Sequence, residues 1–302
     1  MKENVLIIAG IVLFCLITAF FIGLRPEHVL IAALCGTLFF INRKTRKFVT
    51  GLIPFILFAV SYDWMRIYPN YNVNPVDVEG LYNLEKSLFG IMEQGMKRIP
   101  SEYFDLHQHW VVDLLSGIFY LGWVPIPVAF GIYLYFINKK DLFLRFSMVF
   151  LLVNLIGFAG YYIHPAAPPW YVMNYGFEVI PDTPGNLAGL SRFDAITGLP
   201  LFDFIYGRNA NVFAALPSLH SSYLVVALFY AVKGRRHWAM LLTIALFMCG
   251  IWFTAVYTAH HYIIDVLLGI FCALAGIFLF EYGLMKLPRF QSFFNRYLNY
   301  IS

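Results

Sequence analysis

The sequence predicts an all-α integral membrane protein of about eight transmembrane helices, and three observations carry that expectation. Of 302 residues, 60% are hydrophobic and only 13% are charged, with a mean hydropathy of +0.70. A soluble domain of this length needs far more charge to cover its surface. Apolar runs long enough to cross a bilayer recur along the whole chain, where helices satisfy their own backbone polar groups. The segments between those runs alternate in charge, as they do when successive loops face opposite sides of a membrane.

Taken in order, the runs cover residues 4–24, 28–42, 48–68, 110–138, 144–164, 217–232, 238–257 and 260–285. The first follows Lys2 and is too long for the core of a signal peptide, so it reads as a retained membrane helix. The second is short. Fourteen of the 21 basic residues fall at the N-terminus, after the second, fourth and sixth runs, and in the tail: Lys2; Arg43, Lys44, Arg46 and Lys47; Lys139, Lys140 and Arg145; Lys233, Arg235 and Arg236; Lys286, Arg289 and Arg296. The positive-inside rule is strongest for short loops such as these. The basic side is therefore expected to be cytoplasmic, with both termini on it.

The opposite side receives two long loops, 69–109 and 166–216. In the first, Leu81, Leu84, Leu88 and Met92 recur at helical spacing, which predicts an amphipathic helix in the interface or packed on the bundle. The second is rich in Pro and Gly, with an apolar-faced piece around residues 190–205. No internal repeat, low-complexity tract or soluble domain interrupts the chain. The organisation expected is two N-terminal helices (1–47), a six-helix core (48–285) bearing both loops, and a cytoplasmic tail (286–302). Cys15, Cys35, Cys249 and Cys272 lie inside apolar stretches without metal-ligand or disulfide-scaffold spacing, and read as small buried hydrophobes.

Seven of the eight histidines fall on the side away from the basic loops: His28, His107, His109, His164, His220, His260 and His261. Three short segments give this clustering chemical meaning. In His261-Tyr-Ile-Ile-Asp265, a spacing of four puts both side chains on one helical face. Asp265 is an ionisable group inside a membrane helix, costly unless partnered, and His261 is its evident partner. A carboxylate on one ring nitrogen fixes the tautomer and leaves the other nitrogen free as base or nucleophile. A purely structural His–Asp pair joining two helices is the plainer alternative. In Leu216-Pro-Ser-Leu-His220, Pro217 pre-organises a helix start, while Ser218 and the free N–H groups of the first turn make a ready anion site. His220 sits one turn in. An ordinary Pro-Ser helix start accounts for the same residues. In His164-Pro-Ala-Ala-Pro-Pro-Trp170, prolines end a helix and Trp170 anchors at an interface. All three segments fall at the same ends of their helices.

In that order, a Pro-rich segment, Pro-Ser-Leu-His and His-x-x-x-Asp, the sequence resembles the type 2 phosphatidic acid phosphatase superfamily. Ala167–Trp170, Leu219 where plain phosphatases usually carry Gly, and His260-His-Tyr-x-x-Asp265 bring it nearest the lipid phosphotransferase branch typified by the inositol phosphorylceramide synthases. The motifs span residues 144–285, and a six-helix core from residue 48 onward fits the family fold. The resemblance implies that His261 is a nucleophile forming a phosphohistidine, that Asp265 orients it, and that His220 protonates the departing alkoxide and later deprotonates the acceptor. A double displacement needs such a free nucleophilic nitrogen and a second, protonated imidazole. The branch implies a phospholipid donor, plausibly phosphatidylinositol, and a lipid-alcohol acceptor such as ceramide. No metal, cofactor or nucleic acid is expected.

The sequence departs from the phosphatase pattern where that pattern carries its cations. With His164-Pro165 standing for Arg-Pro, the position of the upstream Lys is Gly157, and the Ser-Arg before the last motif is Thr254-Ala255. Cationic stabilisation of the phosphoryl oxygens is a large catalytic term, so other groups must supply it. Arg208 is the preferred candidate, followed by Arg192, His164 and His260; Ser218 and Trp170 complete the expected substrate contacts. Alternative readings are a lipid phosphate phosphatase with water as acceptor, a transporter with a His/Asp proton relay, and a metal-dependent hydrolase. The last lacks a wider cluster of ligands.

Overall fold

A computed structural model describes residues 2–206 and 211–302, with side chains from Val5 onward apart from that of Leu6. The chain is helical almost throughout. An N-terminal hairpin, α1 (Lys2–Phe21) and α2 (Pro26–Ile41), turns at Gly23 in the left-handed region and restarts on Pro26. Asn42 then caps α3 (Arg43–Gly51), its side chain accepting from the Lys44 and Thr45 N–H groups. The basic run expected between two spans is thus the first turn of a helix. The run expected as one span over 48–68 is a bent pair, α3 and α4 (Ile53–Trp64), meeting at 49°. The run over 110–138 is likewise α7 (Trp110–Leu121) and α8 (Pro125–Phe136), bent by 42°. Pro54 and Pro125 lie at the breaks, where a missing N–H and a ring clash interrupt the helical ladder.

Between these pairs, the first long loop folds as α5 (Glu79–Phe89), an antiparallel hairpin of β1 (Ile91–Glu93) with β2 (Met96–Arg98), and α6 (Pro100–Leu106). The amphipathic helix is present, and it packs on the bundle by the face away from most of its apolar stripe. Leu81, Tyr82 and Glu85 are buried, whereas Leu84, Leu88 and Met92 are exposed. The loop packs on the bundle through a face holding a carboxylate and turns its apolar stripe outward.

After α9 (Lys140–Ile163) comes the second long loop, with α10 (Pro169–Tyr175), α11 (Ser191–Thr197) and α12 (Leu201–Tyr206). Gly198 in the left-handed region separates the last two, and Phe193 and Phe202 are buried. The bundle closes with α13 (Leu219–Lys233), α14 (Trp238–Tyr257) and α15 (Ile263–Phe278), the last continuing through a π-helical turn to Lys286. The expected tail is a helix as well: α16 (Pro288–Ile301) buries Phe294 and Ile301, and the Tyr297 hydroxyl donates to the Thr50 carbonyl.

Among the described residues, α9, α14 and α15 with its extension are long and apolar enough to cross a membrane alone, and the two bent pairs do so if each is one span. Shorter apolar helices cover Ile7–Phe21, α2 and α13. These eight segments fall where the sequence places them, and the chain is an integral membrane protein. Outward faces carry large apolar side chains such as Leu242, Leu246, Phe271 and Phe278, as lipid-facing helices do.

Helix α13 is the hub, packed against α9, α14 and α15. Its seam with α15 is made by small residues and hydroxyls, the usual currency of helix association in lipid. Ser222 donates to the Gly269 carbonyl, and the Ser221 hydroxyl, donating to the Ser218 carbonyl at 2.7 Å, stands 3.1 Å from the Val266 carbonyl. A Cβ at Gly269 would stand 2.0 Å from the Ser218 carbonyl oxygen, so only glycine permits this approach.

Candidate active site

Three backbone segments fix the site end of the bundle. The chain from Pro165 to Ala167 is held on both sides: the Ala166 N–H donates to Phe213 O (3.0 Å), the Ala167 N–H to Asp77 O (3.0 Å), and the Asp77 N–H to Pro165 O (2.7 Å). Fully buried Asn70 ties the same layer to α9 by donating to the Tyr161 and Phe213 carbonyls. Trp170 N–H donates to Ala259 O (3.0 Å), which sets the Pro-rich segment beside the His260–His261 turn. That segment therefore builds the site's wall in addition to ending α9.

Helices α13 and α15 bring the reactive groups together. The Ser218 N–H donates to the Asp265 carbonyl (2.9 Å), locking the start of α13 to the first turn of α15. His261 lies in the turn before α15 and not within it, yet its Nδ1 stands 3.3 Å from Asp265 Oδ2. Its Nε2 lies 3.0 Å from His220 Nδ1. With His261 Nδ1–H donating to the carboxylate, Nε2 keeps its lone pair and accepts from His220 Nδ1–H. His220, His261 and Asp265 thus form one hydrogen-bonded line, and Trp123 packs its ring edge-on at 4.4 Å from that of His220.

The start of α15 is closed by two carboxylates. Asp265 Oδ2 accepts the Tyr262 N–H (2.9 Å), while Glu85 of α5 accepts from the Ile263 N–H (2.9 Å) and the Ile264 N–H (3.2 Å). Both satisfy donors that a helix start leaves without intrahelical partners, and both answer the positive end of the helix dipole. Burial pushes the Glu85 carboxyl up to about 7, against the opposing pull of those two N–H groups. Sequence reading passed over Glu85; the available signal was an acid one turn after Leu81, on the face that packs inward.

A cavity of about 160 Å³ opens on His220, His260 and His261, walled by aromatic rings including Tyr62, Trp123, Trp170 and Tyr206. Typical ligand pockets hold roughly 300–1,000 Å³, so this one has room for a small polar group and not for long acyl chains. The aromatic wall was not legible as a site, because aromatic residues on apolar helices serve cores and membrane interfaces equally well.

The expected substrate contacts divide. Trp170 and His260 line the cavity together with His220 and His261. His164 does not: its Nε2 turns away to Asp77 (3.1 Å) and the side chain is half exposed. Ser218 is fully buried at the seam with α15, outside the cavity lining. Arg192 is held by Asp113, its Nε donating to Oδ1 at 2.6 Å, and the same Asp113 oxygen accepts from the Tyr257 hydroxyl. Arg208 lies outside the described residues. Gly157 packs against the Leu219 side chain so closely that a Cβ there would force it to shift, and Thr254 and Ala255 are fully buried, so the motif positions that hold cations in the phosphatases are packing positions here.

Comparison with known proteins identifies the family. A family model described as PAP2 superfamily matches residues 80–279. The chain is 61% identical to the phosphoinositol dihydroceramide synthase of Bacteroides thetaiotaomicron, over 99% of this chain and 98% of that protein. It is 26% identical to the catalytic subunit of inositol phosphorylceramide synthase from Saccharomyces cerevisiae, over 80% of this chain and 58% of the relative. With the corresponding Schizosaccharomyces pombe subunit the identity is 28%, over 82% and 57%. No solved structure matches the chain. The chain belongs to the PAP2 superfamily, on the side of its inositol phosphorylceramide synthases.

Proposed function

We propose that this protein moves the inositol-phosphate headgroup of phosphatidylinositol onto the hydroxyl of a ceramide-class lipid alcohol, releasing diacylglycerol, through a phosphohistidine on His261. The observation that carries the reading is the hydrogen-bonded line from His220 through His261 to Asp265 on the wall of a headgroup-sized cavity. In the first step, His261 Nε2 gives its lone pair to phosphorus and an N–P bond forms. The P–O bond to diacylglycerol breaks, and its oxygen takes a proton from His220. In the second step, His220 withdraws the proton of the acceptor hydroxyl, whose oxygen attacks phosphorus. The N–P bond breaks and its electron pair returns to the imidazole. Asp265 holds Nδ1–H throughout and stabilises the positive charge on the ring. The high identity to a phosphoinositol dihydroceramide synthase over nearly the whole of both chains supports the donor and acceptor classes.

Residues 48–285 form the catalytic core in this reading, with the first two helices accessory to it. Arg208, His260 and Trp170 complete the substrate contacts. The basic groups of α3, the α8–α9 turn, the α13–α14 turn and α16 support cytoplasmic termini, with the cavity on the extracytoplasmic face.

The test uses purified protein in mixed micelles with inositol-labelled phosphatidylinositol, with and without ceramide. Labelled inositol phosphorylceramide should form in step with diacylglycerol and only when ceramide is present. Substitution Trp170→Ala, by opening the wall, should raise the share of free inositol phosphate. A wild-type protein that releases phosphate from phosphatidic acid and ignores ceramide would overturn the transferase reading in favour of a phosphatase.

A further inference from the structure

Beside the catalytic line lie three buried polar atoms without a well-formed hydrogen bond among the described residues. Tyr120 Oη on α7, Tyr206 Oη at the end of α12 and His260 Nε2 are buried; the two phenols interact with one another, and no other side chain among the described residues satisfies them or Nε2. Their rings converge: Tyr206 lies 4.6 Å and Tyr120 5.4 Å from His260, and Tyr120 lies 5.2 Å from His220. Buried polar groups are rarely left unpaired without a functional reason. Two other polar side chains of the cavity wall are committed inside the protein. The Tyr223 hydroxyl donates to Asn154 Oδ1, and the Asn211 side chain both donates to Asn70 and accepts from the Phe213 N–H.

The hydrogen-bond polarity of the three atoms indicates what would satisfy them. The Thr258 hydroxyl donates its one proton to the Thr254 carbonyl at 2.7 Å, so at 3.0 Å from His260 Nδ1 it can only accept. Nδ1 therefore carries the hydrogen of the neutral ring, and Nε2 presents a lone pair. A phosphate oxygen cannot pair with that lone pair, since it too only accepts. A hydroxyl can, and it can also give and receive with the two phenols. A quaternary ammonium would suit the aromatic faces but has neither a hydrogen to give nor a lone pair to offer these atoms.

We infer that Tyr120, Tyr206 and His260 form a polyol subsite that reads the hydroxyl groups of the donor's headgroup and sets the enzyme's choice among phospholipids. The inference rests on the phosphotransferase reading and assigns its headgroup specificity to residues outside the catalytic line. A site built to pair with hydroxyls rejects analogues that lack them more strongly than an apolar pocket rejects a change in size.

The experiment measures transfer to ceramide from phosphatidylinositol, phosphatidylethanolamine and phosphatidylcholine by wild type, Tyr206→Phe and Tyr120→Phe, with thermal midpoints in detergent recorded alongside. Each variant removes only an oxygen. The expected result is a kcat/KM for phosphatidylinositol lower by roughly ten- to hundredfold, carried mainly by KM. Rates with phosphatidylcholine should stay at the wild-type level or rise, so that selectivity collapses. A purely structural role would instead lower the midpoint and depress all three donors together, and that pattern would overturn the inference. So would variants that keep the wild-type ratio between donors, which would leave the transferase reading standing. A wild-type protein without preference for phosphatidylinositol would overturn both. If one variant fails to fold, the other and His260→Gln supply the same comparison.

Discussion

His261, Asp265 and His220 divide the proposed transfer among nucleophile, orienting carboxylate and acid–base, and each substitution separates one role from the others. Loss of the His261 or His220 imidazole as Ala should lower turnover by at least about 10²–10⁴-fold, the usual worth of acid–base groups. Asp265 also accepts the Tyr262 N–H, so Asp265→Ala would disturb the start of α15 as well as the imidazole. Asp265→Asn keeps an acceptor oxygen for that N–H but no charge, and should still lose activity on the order of 10³–10⁴-fold, as orienting carboxylates do in hydrolase triads. Steady-state transfer assays, with thermal midpoints to show folding, check all three. Near-normal turnover by His261→Ala would end the phosphohistidine mechanism. These residues were legible in the sequence because an acid four residues after a histidine in an apolar run has few explanations. Tyr120, Tyr206 and Glu85 were not, since their meaning comes from elements distant in the chain. His164 misled for a related reason: the Pro165 turn and the pairing with Asp77 direct its ring outward, which spacing alone does not reveal.

At the scale of elements, the start of α15 is completed by α5, a helix of the first long loop. Glu85 supplies the acceptors for Ile263 and Ile264, so the loop helps to hold the turn carrying His261. Its carboxyl is raised from an ordinary 4.5 to about 7, chiefly by burial. Within that window the folded chain binds a proton that the unfolded chain does not. The contribution of Glu85 to stability is therefore full at low pH and is lost as pH rises through about 7. Glu85→Gln cannot titrate and should flatten this slope. Thermal midpoints of both proteins between pH 5 and 8 check it, and parallel curves would refute the assignment. The sequence anticipated an amphipathic helix here, in the interface or packed on the bundle, without fixing which way its apolar stripe turns. The stripe at Leu84, Leu88 and Met92 faces out, and helical periodicity does not say which side a membrane interface occupies. The bends at Pro54 and Pro125 were overlooked because an apolar run reads continuously through a proline that still breaks the ladder.

For the whole molecule, hydropathy and charge were sufficient to anticipate the bundle, because lipid leaves a chain few other solutions. They did not anticipate that the tail folds back as α16, whose amphipathic face packs Phe294 and Ile301. The proposed orientation makes a direct prediction. Cysteine placed at exposed Ser292 on α16 should resist an impermeant thiol reagent on intact cells, while cysteine at exposed Glu178 in the second long loop should react. Of the native cysteines Cys272 is buried, Cys15 and Cys35 are partly exposed and Cys249 is exposed, so the labelling uses a background in which all four are replaced by Ala. The reverse labelling would invert the topology and move the cavity to the cytoplasmic face. The central claim, a headgroup carried on His261 between two lipids, is tested most directly by trapping it. Reconstituted protein is mixed with phosphorus-labelled phosphatidylinositol without acceptor, quenched, and examined for acid-labile label on the chain. The mechanism predicts label on wild type, its transfer to ceramide on chase, and none on His261→Ala. Full-rate transfer with no label on the chain, or label that persists in His261→Ala, would contradict it.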